Sequence, residues 1–220
     1  MNLHTIIDAI LVLIVLLNLG MLAVSRLATG VRFFALQSLL LALLPIAAEC
    51  SHGGGLIGHG LLIAAGTVGL KVVLIPYILL RIIRTGEEHR EVEPFIGFTA
   101  SVFLGALLVV ASFALSTRMR LPVEPMSRLL VPVSLATLLI GLLMLVSRMK
   151  AITQVLGFLI LENGIFTFGI LLVRQTPLLV EMGILLDLFV GVFIMAIVVY
   201  HIRREFDHMD THLLDSLKEG

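Results

Sequence analysis

Seven stretches of about 20 apolar residues, separated by short polar connections, limit what this chain can fold into. A run of that length is long enough to cross the hydrocarbon core of a bilayer as a helix. The chain is 59% hydrophobic and only 14% charged, whereas soluble domains carry about one quarter charged residues. These features predict an all-α, polytopic membrane protein of about seven transmembrane helices. Zero formal net charge argues against a nucleic-acid partner, so the surroundings expected are lipid and other protein subunits. The single cysteine, Cys50, excludes a disulfide within the chain and a four-cysteine cluster supplied by it alone. Trp is absent, and only Tyr77 and Tyr200 are available as polar aromatic anchors.

The expected spans are Thr5–Val24, Val31–Ala48, Ile57–Ile83, Phe95–Leu115, Leu129–Val146, Ile152–Val173 and Pro177–Ile202. The third is long and holds Pro76, which removes a backbone donor and predicts a kink. Thr176 and Pro177 suit the start of the seventh, as cap hydroxyl and first-turn proline. The opening MNLHTIIDAI has no basic residue before its apolar run, so the segment is expected to be retained.

Lys and Arg in the connections give the orientation. Ten fall on one side: Arg26, Arg32, Arg81, Arg84, Arg90, Arg148, Lys150, Arg203, Arg204 and Lys218. Arg118, Arg120, Arg128 and Arg174 fall on the other. The bias puts the N-terminus outside and the C-terminus in the cytoplasm. The organisation expected is residues 1–84 as helices 1–3, residues 85–128 as a cytoplasmic loop, a linking helix and an external loop, residues 129–202 as helices 5–7, and residues 203–220 as a cytoplasmic tail. Ser25-Arg26-Leu27 and Ser147-Arg148-Met149 open similar basic turns. The spans ending at Arg84 and Arg204 also leave the membrane alike. Both coincidences suit a parallel repeat of three-helix units. In the tail, Phe206, Met209, Leu213, Leu214 and Leu217 are spaced for a short amphipathic segment facing a protein partner.

Ionisable residues inside the runs carry the functional argument. A charge at mid-membrane costs on the order of 2.5–3.5 kcal/mol on insertion scales, and such residues face a bundle interior or a wet cavity. Lys71 is near the centre of the third run, Glu162 near the middle of the sixth, and Glu181 and Asp187 in the seventh. A lysine so deep either sheds its proton or meets a carboxylate, with Glu162 and Asp187 as the natural partners. The group reads either as a proton or ion path or as a fixed clip between helices. Asn163 is placed to donate to a carboxylate, and Gly164 to admit a neighbouring helix. Gln37 and His59 are secondary candidates, His59 also reading as a hydrogen-bonded loop histidine, and Glu181 also as an interfacial acid. Glu49, Cys50 and His52 at a helix end are a weak metal set, because a metal needs three or four converging ligands. Neither a phosphate-binding glycine loop nor a nucleophile motif is present, so no catalytic centre is expected in this chain. A retinal-type lysine protein is disfavoured by the third-helix position of Lys71 and the lack of Trp.

Four segments carry a family resemblance: FFALQS (Phe33–Ser38), LKVVLIP (Leu70–Pro76), GFLILENG (Gly157–Gly164) and LVEMGILLD (Leu179–Asp187). They resemble component E of hydrogenase-4, a membrane subunit of formate hydrogenlyase-like, energy-converting nickel–iron hydrogenases. The last three helices are also similar to the K-type subunit of complex I and the C subunit of multisubunit cation/proton antiporters. The resemblance implies a subunit without cofactors of its own in the inner (cytoplasmic) membrane. Its neighbours would be antiporter-like membrane subunits, the membrane anchor of the hydrogenase and the hydrophilic hydrogenase arm, where the nickel–iron centre and iron–sulfur clusters reside. It further implies a share in an intramembrane hydrophilic axis for proton or sodium translocation. The K-type pattern puts a glutamate two residues after its glycine, where this chain has Leu159. Glu162 comes three residues later, roughly 4.5 Å along the axis. A purely structural linker and an antiporter subunit without a hydrogenase are the competing readings.

Overall fold

The computed structural model describes residues 3–51, 64–85, 95–119 and 127–172. The chain divides into two units, Met1–Gly183 and Ile184–Gly220, and all described residues belong to the first. Six helices among them are long and apolar enough to cross a membrane. They are α1 (Leu3–Ala23), α2 (Leu27–Ser51), α3 (spanning Ala64–Arg84), α4 (Phe98–Ser116), α5 (Leu130–Ser147) and α6 (Ala151–Leu172). The protein is an all-helical, multi-pass membrane protein. The seventh span expected over Pro177–Ile202 and the tail lie outside the described residues.

Boundaries shift where a carbonyl finds a partner. The Arg26 carbonyl accepts from Thr29 and Gly30 at 3.1 and 3.2 Å, so α2 starts at Leu27 rather than at Val31. Phe95 does not begin α4; its N–H donates to the Ser147 carbonyl at 3.1 Å and ties the approach of α4 to the end of α5.

In lipid, helices gain nothing by burying apolar surface against each other, so close backbone approach and hydrogen bonds hold them. The α5–α6 hairpin shows this most clearly. A methyl group added at Gly141 would stand 2.3 Å from the Leu161 nitrogen. One at Gly157 would meet the Leu145 nitrogen at 2.7 Å, and one at Gly164 the Leu138 nitrogen at 2.5 Å. Gly157 and Gly164 are one heptad apart, as are Leu138 and Leu145. The contact therefore repeats along an antiparallel pair that crosses at a shallow angle. Similarly, α4 rests on α1 through Gly105, where a methyl would be 2.4 Å from Leu22 Cδ1. Its opposite face, with Phe103 at 75% and Val110 at 65% exposure, points away from the bundle.

The α1–α2 and α5–α6 hairpins run side by side in the same direction. Arg148, after α5, donates from Nη2 to the Leu22 carbonyl near the end of α1 at 2.7 Å. At the opposite end, Ser127 before α5 donates to Asp8 of α1. This is the relation a parallel repeat requires for its first two helices. Arg148 is also a correction: expected as a turn charge, it is 1% exposed. Its guanidinium satisfies a helix-end carbonyl that has no partner within α1, and lies 4.6 Å from the centre of the Phe98 ring.

The interruption expected in the third helix is a change of winding. Val68–Leu74 is π-helical, and Ile75 donates to the Leu70 carbonyl before α-helical Ile75–Thr85 resumes. Pro76 lacks an N–H and its ring crowds the carbonyl four residues back. That carbonyl belongs to Val72, inside the π-helical stretch, where the wider turn accommodates it.

Gly141→Ala is expected to lower the thermal unfolding midpoint of the detergent-purified protein, overpacking of this kind costing about 1–3 kcal/mol. Gly169→Ala, where the added methyl meets nothing within 4 Å, should leave the midpoint near that of the parent.

Candidate functional site

The polar residues of the apolar spans gather in one layer. Above them, Ile7, Leu11 and Ile14 of α1 pack with Leu41 and Leu44 of α2 and with Leu130, Val131 and Val133 of α5. Below them lie buried Met21 and Leu22 of α1, Val31 and Phe34 of α2, and Ile140 and Met144 of α5. Between these sit Asn18, Gln37, Ser38 and Thr137, each 0% exposed.

Lys71 and Glu162 meet. The ammonium nitrogen is 3.2 Å from Glu162 Oε1, with the two side chains 1% and 3% exposed. It also donates to Asn163 Oδ1 at 3.1 Å and lies 5.6 Å from the centre of the Phe166 ring. Each contact compensates part of the hydration the cation has lost. Neighbouring residues on α6 thus supply both a charge and a neutral oxygen to one ammonium. Asn163 differs from its expected part: its oxygen accepts from Lys71, and its Nδ2 donates to Ser38 Oγ of α2 at 3.3 Å. Thr167, one turn on, donates to the Asn163 carbonyl at 2.7 Å. Leu159, at the position of the K-type acid, is 0% exposed among apolar neighbours, while Glu162 is the acid that faces Lys71.

The π-helical stretch matters to this geometry because it contains Lys71. Seven residues wound more widely than an α-helix change the direction in which the middle one leaves the axis. On the other side, Gly157 and Gly164 press α6 against α5, which holds the Glu162–Asn163 pair on a rigid hairpin.

Gln37 belongs to a separate set of bonds. Its Nε2 donates to Asn18 Oδ1 at 2.9 Å, and Asn18 Nδ2 donates to Thr137 Oγ1 at 2.8 Å. Thr137 in turn donates to the Val133 carbonyl at 2.8 Å. Gln37 Oε1 has no hydrogen-bond donor among the described residues. Gln37 and Ser38 are consecutive on α2, so that helix separates the two sets.

Sequence reasoning found Lys71, Glu162 and Gln37 and missed the contributions of Asn18, Ser38 and Thr137. Asn18 had a readable signal, a lone amide in the run LLNLGM of the first span. Ser38 and Thr137 had none, since hydroxyls within helices commonly bond to their own backbone. Glu181, Asp187 and His59 lie outside the described residues, as do the side chains of Glu49, Cys50 and His52. No group of three or more metal-ligating side chains occurs among the described residues.

Comparison with known proteins gives two kinds of relative. Uncharacterized protein Rv0085 of Mycobacterium tuberculosis is 31% identical over 192 residues, which is 86% of this chain and 84% of the relative. Hydrogenase-4 component E of Escherichia coli K12 is 27% identical over 206 residues, 94% of each chain. The proteins of that name from Escherichia coli O157:H7 and Shigella flexneri match to the same degree. No family model matches the chain, and no solved structure does.

Lys71 and Glu162 should behave as one unit. A double-mutant cycle of Lys71→Met and Glu162→Gln, followed by thermal unfolding in detergent, is expected to return an interaction energy of about 0.5–3 kcal/mol. Additive effects would show that the two side chains do not act together.

Proposed function

The chain belongs to the hydrogenase-4 component E family, and we propose that it serves as a non-catalytic membrane subunit of a complex I-like, membrane-bound hydrogenase of the formate hydrogenlyase type. In this reading it contributes to an intramembrane hydrophilic path that couples translocation of protons or sodium ions to hydrogen chemistry in other subunits. The nickel–iron centre and the iron–sulfur clusters belong to those partners. Its neighbours are the antiporter-like subunits and the membrane anchor of the hydrogenase arm, in the inner (cytoplasmic) membrane.

One observation carries the reading: an ammonium and a carboxylate, both nearly fully buried, lie 3.2 Å apart on separate helices. A buried ion pair is weak evidence for stability, because desolvation offsets most of the attraction and apolar residues of similar volume often serve as well. Intramembrane ionisable residues instead recur along ion routes. Lys71 has two acceptors at nearly equal distance, one charged and one neutral. An ammonium so placed can lean toward either when the charge on Glu162 changes. Asp187 and Glu181, one helix further along the chain, are proposed as continuations of the path, and His59 as an extension near its outer end.

A second reading is favoured by the same hydrogen bonds. They tie α3 and α6 to α2, and α1 to α2 and α5, as a structural linker would. Two variants of the intact complex in liposomes separate the readings. Glu162→Gln is expected to abolish ion movement per hydrogen evolved, whereas an unchanged ratio leaves only the linker. Lys71→Met is expected to assemble with its partner subunits and lose coupling; failure to assemble marks the lysine as structural. Co-purification of nickel and iron–sulfur clusters distinguishes a hydrogenase subunit from one of a stand-alone antiporter.

A further inference from the structure

The two sets of hydrogen bonds come together on α2. Gln37 and Ser38 are successive residues, so their side chains leave the helix about 100° apart, into different parts of the bundle. Ser38 faces Asn163, next to the Lys71–Glu162 pair. Gln37 faces Asn18 and, through it, Thr137 of α5. Both α2 side chains are 0% exposed.

Adhesion alone explains this second set poorly. An interhelical hydrogen bond in a membrane contributes only a modest net stabilisation, while a buried acceptor without a donor is penalised more heavily. Gln37 Oε1 is such an acceptor among the described residues. A methionine of similar length would fill the same space without that penalty. A glutamine at this position suits a donor that comes and goes.

We propose that Asn18, Gln37 and Thr137 form a second arm of the ion path, in which the Gln37 carbonyl oxygen takes a water molecule. The route then crosses α2 rather than ending at Lys71. This rests on reading Lys71 and Glu162 as a path and adds where it leads, toward α1 and α5. The amides of Asn18 and Gln37 are positioning residues, neither gaining nor losing a proton. They orient the water and the Thr137 hydroxyl, which accepts from Asn18 and donates to the Val133 carbonyl. The species carried is a hydrated proton.

The test uses the intact complex in liposomes, with protons moved per hydrogen evolved as the readout. Gln37→Met and Thr137→Val are each expected to lower that ratio by about tenfold, the effect of one lost net hydrogen bond on a rate. Thr137→Ser should restore it. A parental ratio in both variants, alongside loss in Glu162→Gln, overturns the second arm and leaves the Lys71–Glu162 reading standing. A parental ratio in Glu162→Gln removes that reading, and the arm with it. Should Gln37→Met fail to assemble, the Thr137→Val and Thr137→Ser pair decides. If Thr137→Val also fails to assemble while Thr137→Ser assembles, the cluster is structural and the proposal is overturned.

Discussion

An ammonium group without water needs an answering charge, and the arrangement of the bundle interior follows from that need. Lys71 is 1% exposed, and at that burial it must be matched by acceptors on other helices. Glu162 and Asn163 provide them from adjacent positions on α6. Asn163 then passes the constraint to Ser38 on α2. Three helices are fixed relative to one another by a single cation and its immediate partners. The apolar layers above and below exclude water and thereby sharpen the requirement.

Such contacts demand precise placement, which the backbone supplies in two ways. On one flank, glycines bring α5 and α6 together until main chain meets main chain, so the hairpin that bears Glu162 has little freedom to slide. On the other, the π-helical stretch ahead of Pro76 aims Lys71 at that hairpin. A rigid acceptor face and an irregular donor helix make a familiar division of labour, with regularity giving position and irregularity giving direction. Arg148 does comparable work at the basic end of the bundle, where it joins the end of α1 to the start of α4.

Much of this was legible in the residues. Apolar run length predicted the spans because the bilayer sets a length that few other constraints do. Lys71 and Glu162 stood out because a charge is costly in lipid, and cost makes a residue informative. Three of the four segments that carry the family resemblance supply the interior contacts: FFALQS gives Gln37 and Ser38, LKVVLIP gives Lys71, and GFLILENG gives Glu162 and Asn163. Less could be read where the cause is three-dimensional. The burial of Arg148 depends on where α1 and α4 end, which no local pattern encodes. Asn163 was read as a donor to a carboxylate because its neighbour in sequence is one; in space the cation came between them. Hydroxyls such as Thr137 are silent in sequence, since they sit as readily against their own helix as against another.

The polar layer runs across the helices, and therefore along the plane of the membrane rather than through its thickness. An elementary charge crossing the whole bilayer against 100 mV requires about 2.3 kcal/mol of electrical work. A charge displaced sideways from Thr137 of α5 to Lys71 of α3 stays at nearly constant depth and does almost none. Movement along this layer is therefore nearly blind to the transmembrane voltage. Traffic through it is set by local electrostatics, and the steps that store or release energy against the potential fall to whichever part of an assembly carries the charge up or down the membrane normal.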